Sequence, residues 1–287
     1  MKVVILANDD LTGSLIFSPI VGMNDVSLQA VFFGASPVKS NKSMISAAFS
    51  LRRRMAFSYW LFLVVTNGLF SVFSALSTFL RRPGSLGDLD SLRAHATMAG
   101  VPIHTGTDFE SDDFKRQLAG LSPDLVLIRV SSILDAEVLS IPRVATWCVH
   151  SSLLPAYGGI AGEFHALREG REFIGSTVFQ VTERLDEGPP VAQVRVRVQP
   201  GSTLFSHIIA NNHQAGYLLA RMVADIAAGR DPRRPLLNAD LSRSYFSWPN
   251  EAQLAQFRQR GWRLVSASQV LRLVATALRL DWRARIL

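Results

Sequence analysis

The run "DDFKRQLAGLSPDLVLIRV", residues 112–130, reads as a helix, a turn at Ser122-Pro123 and a strand from Leu125 to Val130. Work outward from it and the pattern repeats. "KVVILA", residues 2–7, is a β-branched run that ends in the polar "NDD", and Val26–Ala35 reads as a second strand. Ser91–Met98 reads as a helix stopped by Gly100, and "VPIHTG" follows as a short strand. "ILDAEVLSIP" reads as a short helix, and "VATWCVH" brings another strand to His150. Strands that alternate with helices predict an α/β fold, a Rossmann-like, mostly parallel sheet flanked by helices. Ligands in such sheets sit beyond the carboxyl ends of the strands, where both "NDD" and His150 fall.

Beyond His150 the pattern changes. Alternation over Gln193–Val198 and a turn at Pro200-Gly201 predict a β-hairpin with a long connecting loop. Thr203–Gly229 reads as one long amphipathic helix ending in glycine. "RDPRRPLLN" is a basic, proline-broken linker, followed by a short helical C-terminal extension. The expected division is residues 1–229 as the main domain, with an apolar helical insertion at about 51–82, and 230–287 as the extension.

Composition bounds the class. Of 287 residues, 48% are apolar and 18% charged, which excludes a disordered or fibrous chain. There is no internal repeat. The net charge of +7 is concentrated in arginines such as Arg52–Arg54, Arg81, Arg82, Arg233 and Arg234, and suits either an anionic partner or a solvated basic face. A single cysteine excludes an intrachain disulfide. The N-terminus turns polar too soon for a signal peptide, so a cytoplasmic location is expected. Ala56–Leu80 holds no charged residue and is flanked by arginines. It reads as a membrane span, an interfacial helix or a buried or oligomer-facing crossover helix. A span would put strands of one sheet on opposite sides of a bilayer.

Two motifs carry chemistry. "CVHSSLLPAYGG" delivers His150 from a strand end into a loop, and "GSTVFQVTERLDEG" places Asp186, 36 residues later, in a Gly/Pro-rich loop. Together they resemble the folate-dependent formyltransferase family, which carries N-x-H-x-S-L-L-P-x-aromatic-basic-G followed by G-x-T-[IV]-x-x-[VM]-x-x-x-[LIV]-D-x-G. The resemblance is clear from about Leu121 to Pro200. It implies the formyltransferase fold and 10-formyltetrahydrofolate as formyl donor, with no metal. It gives His150 and Asp186 the family's proton-handling roles. It also implies a pterin cleft between Val130, Ser131, Ser132, Ile133 and Leu134 on one side and Val181, Thr182, Glu183, Arg184 and Leu185 on the other. The chemistry needs such groups. Attack of an amine on the formyl carbon develops an oxyanion and leaves a proton to be moved, and an imidazole steadied by a carboxylate serves both needs.

The chain departs from the family's pattern at the third catalytic position, where the asparagine two residues before the histidine is Cys148. A thiol is a weak donor. Four readings follow: a slow enzyme, another donor in that place, a formyltransferase-like protein without transfer, or a cysteine nucleophile. Gly158 and Gly162 replace the family's basic residue and proline, and are expected to loosen the loop. His165 is expected to be an ordinary helix-surface or packing histidine. "NDD" either contacts an acceptor or caps a helix through Asp10 or Thr12. The family's tRNA-modifying members add a C-terminal β-barrel, which the helical tail does not resemble, so no nucleic acid is expected. The expected partner is a small amine: an amino sugar, free or nucleotide-linked, or an amino acid derivative. The alternatives are an impaired binding or membrane-associated protein, with peripheral membrane contact through 56–80, or a formyl-folate hydrolase.

Overall fold

Five parallel strands set the frame of the molecule, a computed structural model that describes residues 1–34, 52–80, 90–130, 133–237 and 241–277. They are β1 (Lys2–Ala7), β2 (Ser27–Gly34), β3 (Ile103–Thr107), β4 (Leu125–Arg129) and β5 (Ala145–His150). Two antiparallel strands, β7 (Phe173–Gln180) and β8 (Pro190–Arg197), extend the edge beside β5, giving the order β3-β2-β1-β4-β5-β7-β8. The mostly parallel α/β sheet expected from the sequence is present, with the hairpin at its edge.

The apolar strands are buried on both faces, as a parallel core requires. Val3, Ile5 and Ala7 of β1 face α1 (Leu11–Phe17), α3 (Leu92–Met98) and α7 (Leu204–Ala227), in a cluster with Ile16, Leu92 and Leu219. Val4 and Leu6 face the other way, against Phe114 and Leu118 of α4 (Asp112–Leu121) and Val138 of α5 (Ala136–Ser140). α5 is shorter than its sequence run because Asp135 caps it, its carboxylate accepting from the Val138 amide at 2.9 Å. Asp10 caps α1 in the same way, accepting from Gly13 N at 2.7 Å, so the "NDD" aspartate has a capping role.

The apolar segment forms α2 (Phe57–Phe79). It is long and apolar enough to cross a bilayer. The strands that flank it in the chain, β2 and β3, are neighbours in one sheet, so it lies on the body as a crossover and the spanning reading fails. Its inner face buries Tyr59, Phe62, Phe70 and Phe73 in a cluster with Phe164 of α6 (Gly162–Arg168), Phe205 of α7, Phe257 of α8 (Glu251–Gln259) and Leu273 of α9 (Ala267–Ala277). The two-residue strands β6 (Gly158–Gly159) and β9 (Tyr245–Phe246) pair in parallel and tie the loop after β5 to the C-terminal segment. The loop is therefore pinned rather than loosened at Gly158: its amide donates to Ser244 O at 3.0 Å, and Ile160 N to Phe246 O at 2.9 Å.

Candidate active site

His150 is the last residue of β5, and its register partner on β7 is Thr177. The β7–β8 connection then brings Asp186 back over the same strand end. His150 Nδ1 lies 3.4 Å from Asp186 Oδ1, and both side chains are mostly buried. The other ring nitrogen, Nε2, lies 3.4 Å from the carbonyl oxygen of Tyr157. Both neighbours are acceptors, so a neutral ring donates to one of them and an imidazolium to both.

Asp186 is held by its backbone surroundings. Its φ of 52° is left-handed, a conformation that aspartate tolerates better than most residues. Asp186 Oδ2 accepts from the Gly159 amide at 3.0 Å. Burial works against ionisation, but the hydrogen bond and charge of His150 and the Gly159 amide outweigh it and hold the carboxyl below its ordinary value. Two glycines are required by space. Gly159 has φ +86°, and a Cβ there would sit 2.2 Å from Phe246 O. A Cβ on Gly188 would meet Gln180 O at 1.7 Å, so the glycine of the D-x-G motif lets the Asp186 loop close against the end of β7. Next to Asp186, Glu187 pairs with Arg243 of the C-terminal segment and with Arg184.

Cys148 shares the His150 face of β5, two residues back. Burial pushes its thiol up to about 12, against the pull of the Arg129 charge and with the push of Asp186. Its partly buried side chain packs against the apolar cluster that holds Leu134. Arg129 ends β4, the strand beside β5, where Ile128 is in register with Cys148. Its Nε is buried with no hydrogen-bond partner among the described residues. The guanidinium charge reaches both Cys148 and Glu163. Glu163 is buried on α6; its Oε1 accepts from Asn211 Nδ2 at 3.0 Å, and burial pushes its carboxyl above the carboxylate range against that bond and the charges of Arg129 and His150. It lines a cavity of about 300 Å³ with Ser151, Tyr157, Arg171 and Arg195.

The expected cleft residues come together in part. Leu134 belongs to one buried apolar cluster, against which Val130, Cys148 and Val181 pack. β5 separates β4 from β7, and the Val181 amide donates to Thr146 O near the start of β5, so the two strand ends do not adjoin. Ile133 and Leu185 are half-exposed apolar side chains at 52% and 56%, and Thr182, Glu183 and Arg184 are exposed in the loop before Asp186. Ser131 and Ser132 lie outside the described residues. His165 is fully buried, not on a surface: its ring stacks on Phe246 at 4.2 Å and Nε2 lies 3.1 Å from Ser247 O. Among the described residues no group of His, Cys, Asp and Glu is arranged to hold a metal ion. Arg129, Glu163 and Thr177 are the polar groups the motifs left unread. Arg129 carried one signal, an arginine that ends an otherwise apolar strand.

Comparison with known proteins places this geometry. A family model described as formyl transferase matches residues 96–220, which include His150 and Asp186. The methionyl-tRNA formyltransferase of Phenylobacterium zucineum is 32% identical over 167 residues, 57% of this chain and 53% of the relative. That of Moorella thermoacetica is 31% identical over 168 residues, 57% and 54% of the two chains. The chain spans about half the length of the curated relatives it matches. In fold it is similar to phosphoribosylglycinamide formyltransferase from Coxiella burnetii, at TM-score 0.52 and 19% identity over 80% of this chain and 88% of that one. The corresponding protein from Brucella melitensis gives 0.51 and 21%, over 83% and 98%. Residues 96–220, which carry both His150 and Asp186, are thus similar in sequence to the formyl transferase family, and the sheet is similar in fold to these two structures.

Proposed function

We propose that the protein moves a formyl group from 10-formyltetrahydrofolate to the amine of a small molecule. One observation carries the reading: His150 and Asp186 meet at 3.4 Å at the carboxyl end of β5. In the proposed reaction the amine attacks the formyl carbon and its proton passes, through His150, to the departing folate nitrogen. Asp186 orients the imidazole and stabilises its charged form. The developing oxyanion needs a stronger donor than the Cys148 thiol. Arg129 on the neighbouring strand, whose buried Nε has no partner among the described residues, is our candidate.

The test is folate release from 10-formyltetrahydrofolate with a panel of amino sugars, nucleotide-linked amino sugars and amino acid derivatives. Amine-dependent release is expected, falling by about 10²–10⁴ in His150→Ala. Arg129→Ala is expected to lower turnover by about 10²–10³, and Cys148→Asn to restore part of it in that background. Formate release without any amine would favour the hydrolase, and the absence of release under every condition would favour a binding protein. Undiminished transfer by His150→Ala would overturn the assignment.

A further inference from the structure

Helix α2 is uncharged over all 23 residues, yet only one of its faces is buried. The opposite face leaves large apolar side chains in solvent: Phe57 at 47% exposure, Leu61 at 45%, Val64 at 39%, Val72 at 45% and Phe79 at 83%. These positions are separated by four, three, eight and seven residues, which aligns them along one side of a helix. Gly68, midway along it, has nothing within 4 Å of its Cβ position, and Asn67 and Ser71 are exposed beside it, so the apolar side chains form two patches on one line of the helix. Large apolar side chains aligned in solvent on a folded domain mark a contact.

Two neighbouring features say what kind. Arg52, Arg53 and Arg54 are all exposed just before the helix, and the Arg52 guanidinium lies 4.9 Å over the ring of Phe57. On the flank of the helix an apolar cavity of about 650 Å³ runs between Leu61 and Val65 on one side and Trp262 and Leu264 on the other, with Arg258 and Arg263 in its wall. Leu61 belongs to both the exposed face and the cavity. The contact surface therefore combines apolar depth with cations along its edge.

We propose that the outer face of α2, the arginine triplet and the adjoining cavity form a peripheral docking surface for an anionic lipid bilayer. Acyl chains supply what the apolar face and cavity need, and anionic headgroups supply what the arginines need. A second copy of the chain fits less well. A two-fold contact through this face would set α2 against α2, and α2 has no acid to receive the arginines. The helix lies in the membrane plane and does not cross it, because β2 and β3 on either side of it remain neighbours in one sheet. The inference stands on its own apart from the proposed reaction.

The full chain is tested by co-sedimentation with phosphatidylcholine vesicles, with and without phosphatidylglycerol. Binding to the phosphatidylglycerol vesicles is expected, weakening as salt is raised. Replacing Arg52, Arg53 and Arg54 together by Ser is expected to lower that binding by roughly 10²-fold. Leu61→Glu with Val72→Glu is expected to lower it at least about tenfold. The substituted side chains are exposed, and unchanged circular dichroism and melting verify that each variant is folded. Failure to bind either vesicle, or binding that ignores these substitutions, would overturn the proposal. So would a stable dimer in light scattering that Leu61→Glu turns to monomer.

Discussion

Asp186 divides its two oxygens between partners, one 3.4 Å from His150 Nδ1 and the other receiving the Gly159 amide at 3.0 Å. Its carboxyl is held below the ordinary value, so the folded protein keeps the carboxylate at a pH where the unfolded chain already takes up a proton. The sign follows by linkage. The stabilisation is complete above the ordinary carboxylate range and is lost as pH falls through that range to the lowered value. Asp186→Asn keeps the shape and an oxygen for Gly159 but removes the charge. The variant is expected to be less stable than wild type near neutrality. The gap should narrow as pH falls from above the ordinary carboxylate range, about 4, to below it. Urea midpoints for both proteins across that interval check it; two parallel curves would mean that the charge of Asp186 contributes nothing to the fold.

At the scale of elements, the loop after β5 is positioned by the hairpin beside it. The Thr177 hydroxyl donates to Ser152 O at 2.7 Å and accepts from Leu154 N at 2.9 Å and Gln193 Nε2 at 3.1 Å. Gln193 Nε2 also donates to Leu154 O at 2.8 Å. All four residues are buried. Thr177→Val therefore strands a buried amide and a buried carbonyl, and is expected to cost about 1–3 kcal/mol in urea unfolding and to lower turnover, because the loop follows directly on His150. Thr177→Ser keeps the hydroxyl and is expected to recover most of both. Full stability in the valine variant would show that the loop holds itself. Here the reach of the sequence can be gauged. His150 and Asp186 were legible because each sits in a local motif at fixed spacing. Thr177 lay inside the second motif, but what it holds follows from its pairing with His150 across β5 and β7. Gln193 arrives through the β7–β8 register. Arg129 and Glu163 approach from β4 and α6, and no local pattern of residues encodes such an approach.

For the whole molecule, the question is how the C-terminal segment belongs to the rest. The alternation that predicted the sheet ends at α7, and beyond it the sequence offers a basic, proline-broken linker and a short helical extension, with nothing to say where they pack. In the structure this segment is stitched in at several places. Tyr245–Phe246 pairs with Gly158–Gly159, Leu204 N donates to Arg263 O at 2.8 Å, and Trp262 Nε1 donates to Leu167 O at 3.1 Å. Phe257 is fully buried, with its ring stacked 4.7 Å from that of Phe164 on α6, the helix that carries Glu163. These contacts lie in the same apolar cluster as the inner face of α2. Removing a ring there empties a core shared by α2, α6, α7 and α8. Phe257→Ala is expected to cost about 3–5 kcal/mol. The loss should be felt globally: in native-state hydrogen exchange the slowest amides of β1 and β5 should lose protection together with those of α8, in one cooperative unit. If instead α8 alone becomes exchange-labile while β1 and β5 keep their protection, the C-terminal segment is a separate unit laid over the sheet and its helices, and the loop after His150 owes its position to the sheet alone.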